Sequence, residues 1–574
     1  MQKTQSTAHR HTVVVIGLDG ATFDLVKPWF AEGKLPALRS LLEGGTHGTL
    51  LSTIPPLSPQ AWTSFLTGKN PGKHGIFEFT DFAPQSYDIR FNNAASRRGR
   101  SLWRILSDHG RKVCVVNVPM TYPPEPVNGF LVSGFEAPGV HVTFTHPADL
   151  YARIRADVGE YDIHGDYWTT RGPDFYVQKT LDTIDNHAGV VKYLLRQDRF
   201  DFVMPVFCSV DRIQHFCWKY ADPTHPRHDP VEAEKYGDAI YRVYERSDRY
   251  LQEYLDAIPG EKTVLVMSDH GAGPYYKVVF IDRWLEQQGL LAYRNRREAG
   301  ILGRAGALAQ SVLKRAYLEL RRRLPQWAKD WLKGKLPGIR RRLESHLILS
   351  DIDWSRTRVF SMGVETTLLY VNAKGRFPLG TVEPGVEYER LRAQVIEGLM
   401  ALRDPDTAEP MVEAVYRREE IYEGECLPQA PDLIVVWRNY EYITRRQYAP
   451  GDQRGEELVT SELKVGEVGE LMSLEQTGSH RPNGILIVNG PGIRKGAEIE
   501  GARIIDLAPT ILHLMGFPVP DDMDGRVLSE IFEEPGREVR RCAGEGGGEQ
   551  GPPGDYSGED ARLVEQRLRD LGYL

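Results

Sequence analysis

Apolar, mostly β-branched residues come in short unbroken runs along this chain, and stretches of helical spacing separate them. Val13–Leu18, Lys112–Val118, Phe130–Ser133, Phe200–Cys208 and Thr263–Met267 read as strands. Runs without polar alternation indicate strands buried on both faces. Thr22–Glu43 reads as an amphipathic helix interrupted by Pro28 and Gly33, Ser101–His109 as a second and Pro230–Ala257 as a third. Strands alternating with helices predict an α/β fold, a central largely parallel sheet with helices on both faces. Ligands of such sheets sit beyond the carboxyl ends of the strands, and Asp19, Asp211 and Asp269 all fall there.

The texture changes between Tyr293 and Leu347, where fifteen Lys or Arg face four acids among leucines and tryptophans at helical spacing. Strand-like segments resume at Arg358–Phe360, Thr367–Val371, Leu433–Trp437 and Gly484–Val488, and Ile505–Met515 reads as a helix with Asp506 near its start. The expected organisation is a catalytic α/β core in two parts, 1–292 and 351–535. A basic helical element, 293–350, is inserted between them. A flexible Gly-rich tail, 536–574, ends in a short helix, Glu559–Leu571, with Ser557 and Asp560 spaced as a capping box.

Composition narrows the classes. A chain of 574 residues buries a large core. Its net charge of −8 argues against a general nucleic-acid coat. The five cysteines are scattered without CxxC spacing, which disfavours a disulfide framework and a thiolate zinc site. No apolar run approaches membrane-spanning length, and Met1–His11 has no signal-like apolar region. The expected location is the cytoplasm.

Two motifs carry chemistry. Asp211 and His215 are four apart, so on a helix both project from one face and hold one cation, with His480 as a third ligand from the later half. The bland alternative is a solvated helix face. Asp269-His270 follows a strand and precedes Gly271-Ala272-Gly273, where glycines let adjacent side chains converge; a turn closed by Asp269 is the alternative. Asp19 at a neighbouring strand end would repel Asp269 unless a cation lay between them. Ser58, followed by Pro59 and a helical run, reads as an N-cap. The same position at a helix N-terminus suits a nucleophile facing an anion. Thr67–Gly75 fails the nucleotide P-loop spacing and reads as a rigid turn, with Lys69, Lys73 and His74 near an anionic substrate as the other reading.

In order and context these residues resemble the alkaline phosphatase superfamily, with the type I phosphodiesterase/nucleotide pyrophosphatase group as the nearest branch. The resemblance runs over most of residues 12 to 530. It rests on Gly17-Leu18-Asp19-Gly20, Ser58-Pro59-Gln60-Ala61-Trp62 with Thr67-Gly68 and His74-Gly75-Ile76, Asp211-x3-His215, Ser268-Asp269-His270-Gly271 and Gly478-Ser479-His480. Asp506-Leu507-Ala508-Pro509-Thr510 and Asp524-Gly525 belong to it too. It implies two divalent cations, zinc ahead of manganese. Asp211, His215 and His480 would hold one; Asp19, Asp269 and His270 would hold the other, which also contacts Ser58. It further implies attack by Ser58 on phosphorus, a phosphoserine, and its hydrolysis.

Two departures stand out. Nucleotide pyrophosphatases carry an asparagine shortly after His-Gly-Ile, whereas Phe77-Glu78-Phe79 stands here, with Asn92 or Asn93 as substitutes. The offset proline and arginine that sulfatases need are missing after Ser58. The expectation is a metal-dependent hydrolase of a small-molecule phosphate ester, without stable nucleic-acid binding. The alternatives are a phosphotransferase or phosphomutase on the same fold, or a non-catalytic adaptor touching anionic membranes through 294–346, with Trp327 and Trp331 beside lysines.

Overall fold

The first strand shows how the sheet is buried. In β1 (Thr12–Leu18) Val14, Ile16 and Leu18 join one hydrophobic core, and Val13 and Val15 join the core on the opposite face. Side chains alternate across a strand, so an unbroken apolar run supplies both layers. The chain, in a computed structural model, is described over residues 11–163, 172–294, 352–362, 367–445, 458–460, 476–536, 538–544 and 556–571.

The remaining strands of the central sheet are β2 (Thr46–Leu51), β3 (Val113–Val118), β4 (Gly129–Ser133), β5 (Thr145–His146), β6 (Phe202–Phe207), β7 (Lys262–Met267), β8 (Asn483–Asn489) and β9 (Ala497–Arg503). Their order is β9-β2-β8-β7-β1-β6-β3-β4-β5. β7, β1, β6, β3 and β4 form a parallel block, while β8 and β5 run against their neighbours. The carboxyl ends of β1, β6 and β7 therefore lie side by side at one edge.

Helices cover both faces. α1 (Phe23–Ala31), α2 (Pro36–Glu43), α4 (Pro173–Gln197), α5 (Ser209–Ala221) and α6 (Ala239–Ala257) pack on one core; α3 (Ser58–Thr67), α7 (Leu507–Leu514) and α8 (Asp560–Leu571) pack on the other. The segment Thr22–Glu43 is two helices. Pro28 sits inside α1, and the break falls at the left-handed Leu35, before Pro36 opens α2. A proline has no amide to extend a preceding helix and suits a first turn. Pro230–Ala257 is likewise divided, into Pro230–Tyr236 and α6. A 3-10 turn, Ile504–Asp506, precedes α7, so Asp506 lies at its N-cap rather than inside it.

Val359–Met362, Thr367–Val371, Leu433–Trp437 and Val412–Arg417 form an antiparallel sheet with a hydrophobic core of its own. Among the described residues of the later half, only β8 and β9 return to the central sheet. Ser557 accepts a hydrogen bond from the Asp560 amide at the start of α8. Ala561, Val564 and Leu568 of that helix are buried, and Arg567 donates to the carbonyls of Phe135, Ala137 and Pro138. The terminal helix is thus docked on the core. The basic stretch 295–351, with Trp327 and Trp331, lies outside the described residues. Among the described residues no helix is long and apolar enough to cross a membrane.

Candidate metal centre and nucleophile

Three sheet strands and one helix aim side chains at a common point. Asp19 follows β1, Asp269 and His270 follow β7, and Asp211 and His215 stand one turn apart on α5, which begins just after β6. His480 arrives from the far part of the chain because Gly478–Arg481 pairs antiparallel with Gly271–Pro274, placing Ala272 opposite His480. All six side chains are buried. Ligand atoms of Asp211, His215 and His480 lie within 4.8 Å of one another, as do those of Asp19, Asp269 and His270. The stacked rings of His270 and His480, 3.7 Å between centroids, join the two groups.

The hydrogen bonds fix the imidazole tautomers. His215 Nδ1 lies 3.0 Å from the Gly478 carbonyl, His480 Nδ1 2.9 Å from the Pro56 carbonyl and His270 Nδ1 2.9 Å from the Gly271 carbonyl. A carbonyl only accepts, so each Nδ1 carries a proton, and in the neutral ring the lone pair is left on Nε2, which faces inward. His215 Nε2 and His480 Nε2 are 3.2 Å apart, with Asp211 oxygens 3.1 and 3.5 Å from them. In the other group His270 Nε2 is 3.3 Å from Asp269 Oδ2 and 3.8 Å from Asp19 Oδ1. Among the described residues those two buried carboxylate oxygens have no hydrogen-bond partner.

Lone pairs converging in a buried place are electrostatically costly unless a positive charge sits among them. The titration behaviour agrees. Burial first, then the charges of Asp269 and Asp211, hold the Asp19 carboxyl well above the usual carboxylate range. Asp269 is pushed up to about 7 by burial and by Asp211. Burial and the neighbouring His480 hold His270 well below the usual imidazole range. Burial opposes ionisation of Asp211 too, but His215 and His480 outweigh it and hold that carboxyl well below its ordinary range. Carboxylate and imidazole donors in threes, each imidazole oriented by a carbonyl, suit divalent zinc. The residues fit the implied cations.

Of the two readings of Ser58, nucleophile and helix cap, the cap does not hold: Ser58 is the first residue of α3, Leu57 takes the cap position, and no side chain caps the amides. The Ser58 hydroxyl lies 3.1 Å from His270 Nε2.

Three supports have no counterpart among the sequence candidates. Trp62, one turn beyond Ser58, donates from Nε1 to Asp19 Oδ2 at 3.2 Å; its i,i+4 spacing from Ser58 was the available signal. Gln214 donates to the Gly20 carbonyl at 2.9 Å, and the Gly20 amide donates to Asp269 Oδ1 at 3.2 Å. Gly20 is left-handed, with φ of 67°, and a Cβ there would stand 2.8 Å from Asp211 Oδ1. Conversely, Lys69 pairs with Asp522 and Lys73 with Asp524, both at 2.5 Å. His74 bonds to Ser64 and accepts from the Ile76 amide. Asn93 caps the turn Ala94–Ser96, and Asn92 donates to the Glu78 carbonyl. The Thr67–Gly75 segment is a braced turn.

A family model described as type I phosphodiesterase / nucleotide pyrophosphatase matches residues 13–460. Among solved structures, the phosphonoacetate hydrolase of Sinorhizobium meliloti 1021 in complex with phosphonoformate is similar in fold. It has a TM-score of 0.50 and 15% identity, over 87% of this chain and 94% of that one. Two curated relatives are 2,3-bisphosphoglycerate-independent phosphoglycerate mutases. That of Cereibacter sphaeroides is 47% identical over 49 residues, 8% of this chain and 9% of the relative's length. That of Dinoroseobacter shibae is 40% identical over 68 residues, 11% and 13% respectively. The chain spans only these small shares of the curated relatives it matches.

Proposed function

The chain belongs to the type I phosphodiesterase / nucleotide pyrophosphatase family, and from that premise we propose that it hydrolyses small phosphate esters through a phosphoserine formed on Ser58. The observation that carries this reading is the position of the Ser58 hydroxyl, 3.1 Å from His270 Nε2 at the first residue of α3, beside two buried groups of inward-facing donors.

Asp211, His215 and His480 would hold one divalent cation, and Asp19, Asp269 and His270 another. When bound, the pair supplies positive charge that favours the serine alkoxide and offsets charge on the phosphate oxygens, as two-metal sites do. Zinc suits the donor set best, with manganese as the alternative.

The chain's own residues do the rest. The N-terminal end of α3, which carries the positive end of the helix dipole, faces the place where an anionic phosphoryl group would sit. The Ser58 oxygen gives up its proton and attacks phosphorus, and the ester oxygen leaves as the protonated alcohol. A water then attacks phosphorus, the Ser58 oxygen leaves and regains a proton, and the product is phosphate from a monoester or a phosphate monoester from a diester. Trp62 and the Gly20 amide keep the Asp19 and Asp269 carboxylates oriented throughout. Phosphate esters hydrolyse so slowly unaided that a lone general acid, worth about 10²–10⁴, falls far short.

Ser58→Ala should abolish turnover of a generic phosphodiester while leaving metal content intact; unchanged hydrolysis would rule out the serine intermediate. A second reading, transfer of the phosphoryl group to an alcohol instead of water, is favoured by the short matches to phosphoglycerate mutases. Product analysis with a phosphate monoester and added glycerol separates the two, since a transferase makes glycerol phosphate and a hydrolase makes free phosphate.

A further inference from the structure

A cleft of about 410 Å³ opens between the central core and the antiparallel sheet, a volume within the range of small-molecule sites. One wall is the hairpin of Thr80–Phe82 and Ile89–Phe91 with the turn Ala94–Ser96; the other carries Arg376 and Phe377. None of the six clustered side chains, nor Ser58, lines it.

Its electrostatics run against the rest of the molecule. Arg90, Arg98 and Arg376 line it against a single carboxylate, Asp81, in a chain of net charge −8. Concave places of one sign concentrate counter-ions. Arg376 is anchored, at 2.9 Å from Asp432 and bonded to the Gln429 and Ala430 carbonyls. Arg90 is held at 2.9 Å by Asp81. Arg98 makes one long side-chain bond among the described residues, 3.4 Å to Glu425, whose side chain is three-quarters exposed. A guanidinium has five donors, so Arg98 keeps most of its capacity for a ligand.

The walls are preformed. Tyr87, in the turn of the hairpin, is sandwiched between Trp354 at 3.8 Å and Phe377 at 5.4 Å, with interplanar angles of 9° and 4°. Its hydroxyl donates to Asn372 at 2.8 Å. That aromatic peg fixes the hairpin's arginine relative to Arg376, and charges held in place before binding lose less freedom when a ligand arrives.

We propose that this cleft is a second binding site, distinct from the metal centre, for a small molecule bearing two or more oxyanion groups. Planar guanidinium forks match phosphate and carboxylate oxygens pairwise. The shared chemistry is the multivalent oxyanion; a phosphate or a carboxylate source is decided by competition.

The test is equilibrium dialysis of labelled pyrophosphate against metal-saturated full-length protein, comparing wild type with Arg90→Ala/Arg98→Ala. One fewer equivalent bound by the variant, or an affinity for that equivalent about tenfold or more weaker, supports the site. Competition by citrate extends it to carboxylates, and failure of citrate to compete restricts it to phosphates; both support it. Equal stoichiometry and affinity in the two proteins would overturn it. The variant's thermal melt and its rate on a generic phosphodiester serve as controls and should match wild type, because neither arginine lies in the metal centre. Arg98→Lys should restore part of the binding, since the charge returns without the fork.

Discussion

His215 and His480 face each other Nε2 to Nε2 at 3.2 Å, each with its Nδ1 donating to a main-chain carbonyl. The carbonyls dictate the tautomer, so two lone pairs and the Asp211 carboxylate share one small buried volume. A third imidazole, His270, stacks on His480 and presents its own Nε2 to Asp19 and Asp269. Cations dividing these lone pairs between them would offset their mutual repulsion.

Removing the cations should therefore loosen the fold. A ligand that binds only the native state stabilises it by about 4 kcal/mol at roughly a thousandfold excess over Kd. Chelator-treated protein should melt at a lower temperature, and added zinc should restore the melt. Identical melts with and without chelator would show that the cluster holds itself together unaided.

Trp62 tests the support beneath Asp19. Trp62→Phe keeps an aromatic ring in the core but removes the Nε1 donor to Asp19 Oδ2. Losing a partner that orients a metal ligand costs about 10–100-fold in metal affinity or activity. Metal titration of the variant should show that weakening at the Asp19 group; unaltered affinity would mean the indole only fills space.

His74 sets a pH dependence. Its Nδ1 accepts from the Ile76 amide and its Nε2 faces Ser64, so the folded state needs a neutral ring. Burial, then the charges of Arg97 and Lys69, lower it to about 3. The unfolded ring keeps its ordinary value near 6.5, so between pH 6.5 and about 3 the unfolded chain binds the extra proton. Stability from this group is complete above 6.5 and falls as pH drops, by about 1.4 kcal/mol per pH unit. Urea midpoints measured from pH 7 to 4 should flatten in His74→Asn, which retains an acceptor without a titration. An unchanged slope would assign the effect elsewhere.

The terminal helix is structural. Arg567 satisfies the carbonyls of Phe135, Ala137 and Pro138 from a nearly buried position. Arg567→Ala should destabilise by about 2–4 kcal/mol, since it leaves those carbonyls without their charged donor. A denaturation midpoint equal to wild type would show that α8 is dispensable.

Much of this was legible in the chain. The apolar runs gave the parallel block because strands buried on both faces need no polar alternation, and Asp19, Asp211 and Asp269 could be placed at strand ends. Other features depend on distant partners. β2 alternates, reading Thr-His-Gly-Thr-Leu-Leu, and finds its place only by pairing with β8. His480 reaches the cluster through pairing with Gly271–Pro274, more than two hundred positions away. The role of Ser58 was ambiguous because a cap and a nucleophile call for the same residue at a helix start. The structure removes the cap reading, since Leu57 holds the cap position and the Ser58 hydroxyl lies by His270. The separate antiparallel sheet is not legible because its central strands, Thr367–Val371 and Leu433–Trp437, are as apolar as those of the main core.

The most direct check on the central claim is elemental analysis of purified wild type and His215→Ala. We expect two divalent cations per chain in wild type, falling to about one in the variant with activity lost. Full occupancy in His215→Ala, or a fully active wild type with no bound metal, would contradict it.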